Sequence, residues 1–141
     1  MSINFSKAKK KIATLWFVYC ALLFLLFFLQ SISGKFEDKN QEAWGWFLAL
    51  IMPNLTLMIS VFAYDISNPG VETSQIAIFF YRLTFSLSLF YLSAILLILL
   101  LQPLTEKSIT QLMNESSIFL GPFQGLVSGS IGLFFVNKEK K

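Results

Sequence analysis

The chain has no histidine and a single cysteine, Cys20. The first absence removes the side chain that most often ligates metals and moves protons near neutral pH. The second rules out a disulfide within the chain. No Cys, Asp and Glu residues fall at metal-ligand spacing. Charge is also scarce: Asp, Glu, Lys and Arg make up 13% of the residues, about half the share in a soluble domain. No acid or base lies within the long apolar segments except Arg82, near the end of one. A carboxylate pair or a proton relay therefore has no support. The glycines are not followed by the Lys-Ser/Thr of a phosphate-binding loop. These absences predict a non-enzymatic protein with no cofactor and no metal.

What is present is apolar. Hydrophobic residues are 55% of the 141, with 16 Phe. No charge occurs from Ile12 to Gly34, from Ala43 to Tyr64, from Leu83 to Thr105, or from Ser116 to Asn137. As a helix, each run reaches about 30 Å, the thickness of a bilayer core. The expected fold is an all-α integral membrane protein with four transmembrane helices. It forms one membrane domain over residues 1–141, with spans near 12–32, 44–64, 76–102 and 117–136. The lipid bilayer is its first partner. A basic stretch, an apolar run and Ser-Ile-Ser before Gly34 also have the layout of a secretory signal. The run exceeds the roughly 7–15 residues usual there. Cleavage would leave three spans.

Charge asymmetry sets the expected orientation. Lys7, Lys9, Lys10, Lys11, Arg82, Lys138, Lys140 and Lys141 fall on one side, and Lys35, Lys39 and Lys107 on the other. The larger group belongs in the cytoplasm, so both termini are expected there, in a plasma or bacterial inner membrane. The basic tails suit anionic lipid rather than nucleic acid. Trp44 and Trp46 at the outer side, and Trp16, Tyr19, Tyr64 and Tyr81 at the inner side, fit aromatic belts at headgroup level. Asp65 is the expected ion-pair partner of Arg82. Ser-Asn-Pro-Gly at 67–70 signals a turn. Ser108 and Gln111 form a capping-box pattern, which predicts a short outer-surface helix near 108–113.

The fourth span carries four of the seven glycines. At about 100° per residue, Gly121, Gly125, Gly129 and Gly132 fall within about 80° of arc, with Ser128 among them and Gln124 at the edge. Phe119, Phe123, Leu126, Leu133 and Phe134 form an opposing bulky side, expected to face lipid. The small face suits close helix packing. Its partner is either another span of the same chain, the plainer reading, or the same helix in a neighbouring copy.

In the second span, Pro53 removes one backbone donor, frees the carbonyl of Ala49 and predicts a helix kink. Asn54 and Thr56 follow it. Counted from the outer ends of their spans, Asn54 and Ser128 lie at one depth, about 17 Å in. The expectation is a midplane polar cluster of Asn54, Thr56, Gln124 and Ser128, with ordinary interhelical hydrogen bonding favoured over a ligand or conduction site. On the third span, Thr84, Ser88 and Tyr91 share one face and Ser86 and Ser93 the opposite one. Two functions fit: a homo-oligomer whose glycine-rich faces border a pore or permeability pathway, or an accessory subunit packed against another membrane protein.

Overall fold

The computed structural model describes residues 2–67 and 75–136. Residues 68–70 of the turn signal at 67–70 and the basic C-terminal tail lie outside the described residues. Four long helices dominate: α1 (Phe5–Ile32), α2 (Asn40–Ser67), α3 (Ile78–Leu101) and α4 (Ile109–Val136). All four are long and apolar enough to cross a membrane. Two three-residue strands, β1 (Ser2–Asn4) and β2 (Gln75–Ala77), pair antiparallel with Ile3 opposite Ile76. Neither is signalled in the sequence, since three residues are too few to show an alternating pattern. They clip the start of the chain to the start of α3.

Local chemistry explains the helix ends. Asn4 caps α1 by accepting from the Lys7 amide at 3.3 Å. At the other end of α1, the Gly34 amide bonds the Ser31 carbonyl and the Lys35 amide bonds the Gln30 carbonyl, each at 3.2 Å. This is a Schellman closure, and its left-handed residue is Gly34 at φ +73°. Ser108 accepts from the Gln111 amide at 3.3 Å and so caps α4. The helix it starts does not stop at Met113, however. It continues to Val136. The expected separate surface helix is therefore the first turn and a half of α4, because nothing between Met113 and Ser116 breaks the helix. Pro53 lies inside α2, which continues past it as helix.

The helices form a ring in the order α1, α2, α4, α3. α4 packs against both α3 and α2, and α1 packs against α3 and more lightly against α2. The parallel pairs, α1 with α3 and α2 with α4, are thus side by side. Rings of Phe5 and Phe134 stand 5.5 Å apart, so the start of α1 and the end of α4 share one end of the bundle. At the opposite end, Phe27 is surrounded by Phe36, Trp44 and Phe47, with centroids 4.6–4.9 Å away. The Trp44 and Trp46 indoles donate to Ser31 and Ser117 there. Each helix buries a stripe at three- and four-residue spacing, such as Ile12, Trp16, Cys20, Leu23 and Phe27 on α1. Lipid-type side chains, among them Leu22, Leu25, Leu29 and Ile32, cover its outer side.

Candidate functional site

Two features carry polar or small residues where apolar bulk would be ordinary: the outward face of α4 and a layer inside the bundle.

α4 divides into three sectors. Leu120, Val127, Ile131 and Phe134 are buried toward the other helices. Phe119, Leu126 and Leu133 are exposed on one flank. Gly121, Gly125 and Gly129 are exposed on the other, with Gly132 and Ser128 half-buried. Among the described residues, a Cβ added at any of the four glycines would meet no neighbour within 4 Å. The small face therefore does not receive another span of its own chain, as the plainer reading expected. Two members of the bulky side also depart from it. Phe134 is fully buried among Phe5, Phe80 and Tyr81. Phe123 is half-buried, 5.3 Å from Phe90.

The polar groups of α2 and α4 do not gather as one cluster. Gln124 donates its Nε2 to the Ala49 carbonyl at 2.8 Å. Asn54 is buried and faces the interior, while Thr56, two residues on, is exposed on the outer side. Two residues of helix turn a side chain by about 200°, so Asn54 and Thr56 cannot share a face. Ser128 stays half-buried on α4. The polar groups that join Asn54 inside come from other helices. Thr84, Ser88 and Tyr91 are all buried on α3. Tyr91 donates to the Leu50 carbonyl at 3.0 Å, and Thr84 and Ser130 hydroxyls are 2.6 Å apart. The shared face of the three α3 residues was the signal that located them.

Trp16 and Tyr19 are not headgroup anchors. Trp16 is fully buried with its ring 6.2 Å from that of Tyr91. The Tyr19 hydroxyl meets Ser93 at 3.0 Å. Both side chains instead tie α1 to α3, Trp16 through its ring and Tyr19 through its hydroxyl.

Asp65 pairs with Lys9 at 3.0 Å rather than with Arg82. Lys9 lies on the buried stripe of α1, 4.5 Å above the Phe5 ring, and is only 5% exposed. Arg82 is exposed at the same end of the bundle, as are Lys7, Lys10 and Lys11. The pairing follows from the ring order: α1 adjoins α2, whereas α3 lies diagonally across from it.

No protein-family model matches this chain, and neither a curated protein nor a solved structure is similar to it.

Proposed function

We propose that this is a non-enzymatic membrane protein that self-associates through the glycine-bearing face of α4, and that the assembly borders a permeability pathway. The observation that supports it is the open small face: three exposed glycines and a half-buried fourth on a helix whose other sectors carry large side chains. Small residues let a second backbone approach closely, and dispersion at that distance drives helix association in lipid. The Lys and Arg asymmetry supports both termini in the cytoplasm, in a plasma or bacterial inner membrane. Exposed Lys7, Lys10, Lys11 and Arg82 then face anionic headgroups. Ser128 at the edge of the small face supplies a polar lining group for the pathway.

The mass of the protein purified in mild detergent tests this reading. A stable homo-oligomer is the expected result. A monomer that acquires a stable mass only with a second membrane protein would make it an accessory subunit instead.

A further inference from the structure

Five buried side-chain atoms have no hydrogen-bond partner among the described residues; Oε1 of Gln30 and of Gln102 lie toward one end of the bundle, and Nε1 of Trp16, Nδ2 of Asn54 and Oγ of Ser88 lie in its middle. Trp16, Asn54 and Ser88 are 0%, 1% and 0% exposed. These three come from α1, α2 and α3, yet the helix pairings put them at one depth. The Thr84–Ser130 and Phe90–Phe123 contacts set α3 against α4. The Gln124–Ala49 and Phe62–Phe135 contacts set α4 against α2. Following both registers brings Asn54 level with Ser88, within about one helical turn. Trp16 reaches the same level beside Tyr91, because helical side chains lean toward the N-terminus. The Tyr91 hydroxyl, bonded to the Leu50 carbonyl one turn from Asn54, closes the layer.

We propose that the layer of Trp16, Asn54, Ser88 and Tyr91 is an internal hydration site that holds ordered water within a single subunit. A buried polar group left unpaired costs about 1–3 kcal/mol. Three in one layer make a dry interior expensive, and the bilayer core offers no outside partner. The chemistry selects the occupant. Trp16 Nε1 and Asn54 Nδ2 are donors only, so they need an acceptor. The Ser88 hydroxyl can accept a hydrogen bond from that same molecule. The layer holds no charged residue, which disfavours an ion. Water accepts from two donors and donates in turn, and buried waters typically make two to four such bonds. The site lies inside one bundle, so it does not depend on self-association.

Water-edited solid-state NMR on the full chain in lipid bilayers, with 15N-labelled indoles, tests this directly. Trp44 and Trp46, near the end of the bundle, serve as hydrated references. The expected result is early transfer of water magnetisation to Trp16 Nε1–H in the wild type, with loss of that transfer in Asn54→Leu. Transfer to Trp44 and Trp46 but not to Trp16 would mean a dry layer and overturn the proposal. So would transfer to Trp16 that is unchanged in a folded Asn54→Leu. The wild-type measurement stands even if the variant fails to fold.

Discussion

Gln124 of α4 donates its side-chain amide to the carbonyl of Ala49 on α2, at 2.8 Å. Ala49 is four residues before Pro53, and proline has no N–H to return the helical bond. The two helices are parallel neighbours, so one amide repairs the break that one proline makes.

The Gln124 bond should therefore be coupled to Pro53. Gln124→Leu is expected to lower stability by about 1–3 kcal/mol, since it leaves the freed Ala49 carbonyl without a partner on a lipid-facing side of α2. In a Pro53→Ala background the backbone supplies its own donor, and the same change should cost less than half as much. A double-mutant cycle by reversible unfolding in detergent measures this coupling. Equal costs in both backgrounds would show that Gln124 does not serve the proline break.

The Lys9–Asp65 pair should respond unequally to its two deletions. Asp65→Asn removes a charged partner from a buried ammonium and is expected to cost on the order of 1–3 kcal/mol. Lys9→Met replaces the same volume with an apolar chain and leaves Asp65, whose side chain is 26% exposed, to reach water. Its cost should be under about 1 kcal/mol, the range of a solvated pair. Thermal unfolding of the two variants in one detergent decides the order. Arg82→Leu in the same series should leave stability unchanged, because Arg82 is already exposed.

Reporter fusions test the orientation. A reporter active only in the cytoplasm should work at both the N-terminus and the C-terminus. Activity at one end alone would contradict four spans with both ends inside, and would favour a cleaved or three-span chain.

Much of the fold was legible because a bilayer imposes one length on every span. The uncharged runs locate four helices but not their lengths: α1, α2 and α4 extend beyond their expected spans, whereas α3, at Ile78–Leu101, falls slightly inside the expected 76–102. α1 starts at Phe5, seven residues before its run, since Ala8 and Lys9 continue the buried stripe into charged sequence. The inward faces were harder to read. In water the core side of a helix is apolar and the outer side polar. In lipid both are apolar, and only packing tells them apart. So the wheel separated the small flank of α4 from the bulky one but missed the third sector, Leu120, Val127 and Ile131, which meets the other helices. The same ambiguity put Trp16 in a headgroup belt instead of the interior. Ring order was not legible at all, and it is what gives Asp65 to Lys9. The Pro53–Ala49 break was readable from sequence spacing. That Gln124 reaches it depends on the α2–α4 contact.

Self-association through α4 is tested most directly by the detergent-solubilised mass of Gly125→Leu. Among the described residues nothing lies within 4 Å of the added Cβ, so the monomer should fold and insert as the wild type does. Leucine also favours helix over glycine by up to about 1 kcal/mol in water. Between copies, the same side chain would hold two backbones apart. The account predicts a folded Gly125→Leu monomer where the wild type is a larger assembly, and an unchanged assembly for Leu126→Phe on the exposed bulky flank. A Gly125→Leu protein of wild-type mass, with its helices intact, would contradict it.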